Sequence, residues 1–151
     1  MDKIALVVGA TGITGSHLAY ELVLSGWQTY GLARNPNLDS KGVHPIKADL
    51  LDKNSLQTAL QGINPTHVFF TTWMRKNTEA ENITVNGTMV CNLLDVLSSK
   101  KSLEHVALVT GLKHYLGPFD AYVKEGILPE TPVRETHPRL DFPNFYYTQE
   151  D

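Results

Sequence analysis

The sequence predicts an α/β protein, a doubly wound parallel sheet of strand order 3-2-1-4-5 with helices on both faces. Three observations carry that prediction. A short apolar run, Ile4 to Val8, opens into Gly9, Gly12 and Gly15, and a helical pattern follows at once. Strand-like and helix-like segments then alternate along the chain. The strand-like runs are continuously apolar rather than alternating, as they are where both faces of a sheet are covered. Right-handed crossovers give the stated order and set a ligand crevice at the carboxyl ends around the first strand.

The first strand is read from Lys3 to Val8. A helix from about Thr14 to Ser25 puts Leu18, Leu22 and Val23 on one face, with Gly26 placed to end it. Gln28 to Ala33 and Val43 to Ala48 are the second and third strands, joined by a polar turn holding Pro36 and Asp39. Asp52 is the expected N-cap of a short helix to about Leu60, with Leu56, Ala59 and Leu60 facing inward. Pro65 introduces the fourth strand, His67 to Thr72. A long helix from about Glu79 to Ser98 turns Ile83, Met89, Leu93, Leu94 and Leu97 to the core, and His105 to Thr110 is the fifth strand. From Gly111 to Pro143 the character changes, because Pro118, Pro129, Pro132, Pro138 and Pro143 punctuate a stretch without helical period. It leaves the sheet at the ligand end, so 111–143 is expected to be a loop that builds part of an active site.

A length of 151 residues allows one domain at most, and 42 % apolar with 19 % charged residues matches an ordinary globular chain. The net charge of −3 comes with scattered Lys and Arg, which argues against a nucleic-acid partner. No apolar run approaches a bilayer span, and the first is too short for a secretory signal, so no membrane association and a cytoplasmic location are expected. The single cysteine, Cys91, sits in a helical pattern and is read as a buried residue in a reducing compartment. The six histidines form no ligand spacing, and no metal is expected.

The glycine turn carries the first chemistry. Gly9 permits a tight turn, Gly12 lets the backbone approach a phosphate, and Gly15 lets helix and strand pack closely. With Thr11 and Ile13 between them, they deliver a dinucleotide pyrophosphate to the helix N-terminus, where amides and dipole face the anion. The chain is therefore read as an NAD(P)-binding Rossmann domain over 1–151. A ribose 2′-hydroxyl reader would be an Asp or Glu ending the second strand, whereas Leu32-Ala33-Arg34-Asn35 stands there. Arg34 can pair a 2′-phosphate through its planar fork, so NADP(H) is expected over NAD(H), with a surface arginine capping the sheet as the alternative.

Four stretches together resemble the progesterone 5β-reductase/iridoid synthase family, a branch of the short-chain dehydrogenase/reductases. They are Gly9-Ala10-Thr11-Gly12-Ile13-Thr14-Gly15, Thr66-His67-Val68-Phe69-Phe70-Thr71-Thr72-Trp73, Thr110-Gly111-Leu112-Lys113-His114-Tyr115-Leu116-Gly117-Pro118-Phe119, and Pro138-Arg139-Leu140 followed by Asn144-Phe145-Tyr146-Tyr147-Thr148-Gln149-Glu150-Asp151. The first is shared widely; the other three are far more specific, and their order and separation match. The resemblance implies an NADPH-dependent enone reductase that delivers hydride to the carbon β to a carbonyl. It points to Tyr146 as the hydrogen-bond donor to the developing enolate. Lys113 would add positive charge that lowers the phenol's pKa. Consistent with that branch, neither tyrosine has the lysine that ordinary relatives carry four residues on, since Glu150 and Asp151 stand there.

The remaining positions follow from the resemblance and, for Thr71, Thr72 and Trp73, from their place at the ligand end of the fourth strand. Asp49 and Leu50 sit where adenine is held, with a plain turn role as the alternative for Asp49. Thr71, Thr72, Trp73 and Thr110 would meet the nicotinamide side, and Trp73 and Phe119 would wall the substrate, though Trp73 also reads as core. Asn86 would support the site from within its helix, or else be an exposed polar residue. Members of the family continue well beyond Asp151, which would leave the fifth strand unpaired on one side and favour a homodimer. Two other functions remain open from sequence: a nucleotide-sugar epimerase, and a non-catalytic NADP(H) sensor.

Overall fold

A computed structural model describes residues 3–37, 42–117 and 131–151. Five strands, β1 (Ile4–Val8), β2 (Gln28–Ala33), β3 (Val43–Lys47), β4 (His67–Phe70) and β5 (His105–Leu108), form one sheet of order β3-β2-β1-β4-β5. Every pairing is parallel. The helices among the described residues are α1 (Ile13–Leu24), α2 (Lys53–Ala59), α3 (Glu79–Ser98), α4 (Lys113–Leu116) and α5 (Phe145–Glu150). This is the Rossmann-type arrangement that the β–α alternation predicts. No helix among the described residues is long and apolar enough to cross a membrane.

Position in the sheet explains the composition of each strand. Central β1 has Ala5, Leu6, Val7 and Val8 all fully buried, which is why it reads as an unbroken apolar run. Edge strand β3 tolerates Pro45, which cannot donate to a ladder, opposite Gly31 of β2. On the other edge, Val106 of β5 and Val109 just beyond it are 41 % and 44 % exposed.

The helix ends follow their chemistry. Gly26 takes a φ of +79° while its N–H bonds to Val23, closing α1 where the sequence places the stop. Asp52 accepts from the N–H groups of Asn54 and Ser55 and starts α2. Thr78 and Glu81 exchange hydrogen bonds as a capping box before α3: the Thr78 hydroxyl accepts from the Glu81 N–H, and the Glu81 carboxylate accepts from the Thr78 N–H. Along α3 the buried stripe is Val85, Met89, Leu93, Val96 and Leu97, with Ile83 and Leu94 half-buried.

Four expectations are corrected. Strand β4 ends at Phe70 rather than Thr72: the Thr71 N–H makes the last ladder bond, to the Val8 carbonyl, and the Thr71 hydroxyl doubles onto the same oxygen. Strand β5 ends at Leu108 rather than Thr110, its last ladder bond being Val109 N–H to Phe70. The start of the 111–143 stretch is helical, as α4. Cys91 is exposed, since it lies two residues from both Met89 and Leu93, about half a turn away from the buried stripe.

The chain divides into two compact units, Met1–Trp73 with Thr88–Val109, and Met74–Gly87 with Thr110–Asp151. The first holds the sheet and the glycine turn. The second holds α4, α5 and the amino-terminal part of α3.

Candidate functional site

In the first unit, the carboxyl end of β1 runs into a turn with no room for side chains. Gly9 has a φ of +88°, and a Cβ there would lie 2.7 Å from the Thr72 Cβ. A Cβ on Gly15 would collide with the Gly9 carbonyl oxygen and lie 2.6 Å from the Thr71 Oγ1. The turn is pinned from both sides: the Leu32 carbonyl accepts from the N–H of Gly9 at 2.9 Å, and the Gly12 N–H donates to the Gly9 carbonyl at 2.9 Å. Thr71 closes the end of the sheet, its hydroxyl donating to the Val8 carbonyl at 2.8 Å. Gly12 is the N-cap of α1 and has no side chain to occupy the first-turn amides. Thr11, Gly12 and Ile13 are exposed, Ile13 by 86 %. An open helix N-terminus behind a turn that only glycine can build fits a dinucleotide pyrophosphate.

The rim of the cradle is mixed in what it offers. Arg34 is exposed directly after β2, with no acidic residue at the strand's end. The Asp49 Oδ1 accepts from the Leu51 N–H at 3.0 Å, and its backbone N–H donates to Ser55, so this carboxylate holds the turn into α2. Leu50 is buried, and its carbonyl accepts from Asn92. Thr72 packs against Gly9, and Trp73 is 47 % exposed rather than core. Phe119 lies outside the described residues.

The second unit brings Lys113 and Tyr146 to a common residue. Asn144 is the N-cap of α5, its Oδ1 accepting from the Tyr146 N–H at 3.1 Å. Its Nδ2 donates to the Lys113 carbonyl at 2.8 Å. Lys113, the first residue of α4, directs its ammonium to the Glu79 Oε2 at 2.6 Å and sits 4.5 Å from the centre of the Phe145 ring. The other Glu79 oxygen accepts from the Phe145 N–H at 2.9 Å. Burial pushes the Glu79 carboxyl up. Hydrogen bonds from Lys113, the Phe145 N–H and Asn82, with the Lys113 charge, outweigh this and hold it below the ordinary range.

The tyrosine doublet divides its labour. The Tyr147 hydroxyl donates to the His114 carbonyl at 2.6 Å and accepts from the Leu140 N–H at 3.1 Å. Arg139 stacks on the Tyr147 ring and pairs with Glu150 and Asp151, while Glu150 also meets His114. Tyr146 differs: its hydroxyl makes no hydrogen bond among the described residues and faces Gly111, where a Cβ would lie 3.3 Å away. Thr110, beside that glycine, is exposed. Burial pushes the Tyr146 phenol up, so the net direction is opposite to the lowering that a lone Lys113 charge would produce.

Asn86 is fully buried, neither exposed nor idle. Its Oδ1 accepts from the Met74 N–H at 2.7 Å, and its Nδ2 donates to the carbonyls of Met74 and Asn82. Sequence reading missed Glu79, Asn82 and Asn144. Glu79, Asn82 and Asn86 recur at helical spacing on one face of α3, and buried polar residues at that spacing were the available signal. Asn144 could have been recognised as a capping residue directly before a short helix.

Residues 5–132 match the NAD dependent epimerase/dehydratase family. The chain is 43 % identical to (S)-8-oxocitronellyl enol synthase of Camptotheca acuminata, over 99 % of this chain and 41 % of that protein. It is 41 % identical to 3-oxo-Delta(4,5)-steroid 5-beta-reductase of Arabidopsis thaliana, with the same coverages. These relatives bear out the family resemblance read from the motifs. The chain spans about 41 % of the length of these relatives. Among solved structures, UDP-glucose 4-epimerase of Thermus thermophilus in complex with NAD superposes with a TM-score of 0.72 at 21 % identity, covering 97 % of this chain and 47 % of that one. That likeness speaks for the fold.

Proposed function

The chain belongs to the NAD dependent epimerase/dehydratase family, and from that membership we propose that it carries the cofactor-binding part and the lysine–tyrosine pair of an NADPH-dependent enone reductase. The observation that carries the reading is the Tyr146 hydroxyl. It belongs to a half-buried phenol on a capped helix, with no internal partner among the described residues, beside a neighbour whose own hydroxyl is bonded twice. The two relatives named above, an enol synthase and a steroid 5-beta-reductase, support the same chemistry.

Gly9, Gly12 and Gly15 seat the pyrophosphate against the first turn of α1. Arg34 receives the 2′-phosphate, which makes the cofactor NADP(H) rather than the NAD seen in more distant relatives. When bound, that cofactor supplies a hydride to the carbon β to the substrate carbonyl. Tyr146 donates its hydrogen bond to the carbonyl oxygen as negative charge collects there. A donor aimed at charge that exists only in the transition state lowers the barrier by about 2.7–4 kcal/mol. The partner is a small α,β-unsaturated carbonyl compound, to which the exposed Trp73 offers an apolar face. An epimerase reading is disfavoured by Glu150 and Asp151 standing where a lysine would follow the tyrosines.

The test is a chimera in which these 151 residues replace the matching portion of the Camptotheca enzyme. Enone-dependent loss of NADPH absorbance is expected, slowed about 100- to 1000-fold by Tyr146→Phe. A chimera that binds NADPH and oxidises none of it with any small enone sinks the proposal.

A further inference from the structure

Glu79 opens α3, and its two oxygens are divided between the partners of the proposed chemistry. One takes the Lys113 ammonium at 2.6 Å; the other takes the N–H of Phe145 at 2.9 Å, in the first turn of the helix that bears Tyr146. Phe145 is fully buried, and its ring centre is 4.5 Å from the Lys113 nitrogen and 4.2 Å from the Tyr146 ring centre. A single apolar ring therefore touches both the ammonium and the phenol. A lone ammonium near a phenol favours the phenolate, and a lone carboxylate favours the phenol. Held together they act as a dipole, whose field falls off faster than that of either charge. The remaining charged groups around α5, His114, Arg139, Glu150 and Asp151, pair with one another about Tyr147.

We propose that Glu79 is a positioning residue that fixes the Lys113 ammonium against the Tyr146 helix and offsets its charge, so that Tyr146 stays a proton donor. The inference rests on Tyr146 as the enolate's partner, and it changes the part Lys113 plays. The ammonium orders the amino end of α5 through Glu79 instead of driving the phenol toward its anion. Asn82 adds a second hold, donating to the same carboxylate at 3.1 Å, and the Asn86–Met74 bonds fasten the segment before α3.

An offset pair makes demands of opposite sign, which a merely structural residue does not. The experiment follows Tyr146 ionisation in the 151-residue chain by ultraviolet difference titration, each spectrum corrected with the matching Tyr146→Phe chain. Glu79→Gln is expected to lower the midpoint by about half to one pH unit, and Lys113→Met to raise it by about as much. The double variant returns close to the parent, as does Glu79→Asp, which keeps the charge. Far-ultraviolet circular dichroism checks that each chain is folded. Coincident titrations of the parent, Glu79→Gln and Lys113→Met overturn the proposal, and so do these two single variants moving the midpoint the same way. Neither nucleotide nor enone is present, so this failure is distinct from failure of the reductase reading.

Discussion

The hydroxyl of Tyr147 donates to the carbonyl of His114 at 2.6 Å, and this bond tells two adjacent tyrosines apart. It joins α5 to α4, while the Tyr146 hydroxyl has no such duty among the described residues. Tyr147→Phe is expected to cost about 1–3 kcal/mol of stability, since it orphans a carbonyl and the Leu140 N–H. Tyr146→Phe is expected to leave stability nearly unchanged and to lower kcat of the chimera about 100- to 1000-fold. Denaturant titration and NADPH-oxidation assays read the two effects separately. The same outcome for both substitutions would remove the distinction.

The glycine turn allows a graded test. Gly15→Ala drives a methyl group into the Gly9 carbonyl and the Thr71 hydroxyl, and is expected to cost about 1–3 kcal/mol and abolish NADPH binding. Gly12→Ala meets only the Gly9 oxygen at 3.3 Å, a contact that a small shift relieves. It is expected to fold normally and bind NADPH more weakly. Fluorescence titration with NADPH beside urea unfolding checks both.

In the proposed reading, cofactor choice turns on Arg34. Replacing it with Ala is expected to weaken NADPH binding about 10- to 100-fold, the worth of a charge-assisted hydrogen bond, and to leave NADH binding unchanged. Calorimetric titration with each nucleotide decides it. Equal losses for both would mean that the guanidinium does not meet the 2′-phosphate.

Acid should loosen the second unit through Glu79. Its carboxyl titrates below the ordinary value of 4.5 in the folded chain, so the stabilisation is fully present above that value. It is lost as pH falls through the lower, folded-state pKa. The unfolding temperature of the parent should therefore drop on acidification below about pH 4.5 by more than that of Glu79→Gln, which begins lower at neutral pH. Parallel curves for the two chains would contradict this.

The outer edge of β5 has no partner strand among the described residues, and Val106 and Val109 are exposed there. Such an edge invites pairing, so the 151-residue chain is expected to self-associate as its concentration rises, and Val106→Lys to suppress this. Sedimentation velocity that shows a stable monomer at high concentration rules it out.

The sheet was legible because its strands answer to local rules. A continuous apolar run marked β1 to within a residue, the bounds read for β2 matched, and Asp52 and Gly26 announced helix boundaries through capping chemistry alone. The ends of β4 and β5 were overshot because threonine and valine favour strands whether or not a ladder continues. Lys113, Tyr146 and Asn86 could be named from motifs. What joins them could not, since the Glu79–Lys113 and Asn144–Lys113 contacts cross 34 and 31 residues of chain. Cys91 failed for a plainer reason: cysteine is usually buried, but its angular position on α3 overruled that habit.

Thr71 has one more consequence. Its side chain is wedged between two glycines and bonded to the end of the central strand, so the phosphate-facing loop can neither widen nor slide without breaking the sheet behind it. An incoming diphosphate meets amides that are already aimed, and little chain entropy is left to lose on capture. Docking should then proceed at a rate set by encounter rather than by rearrangement of the protein.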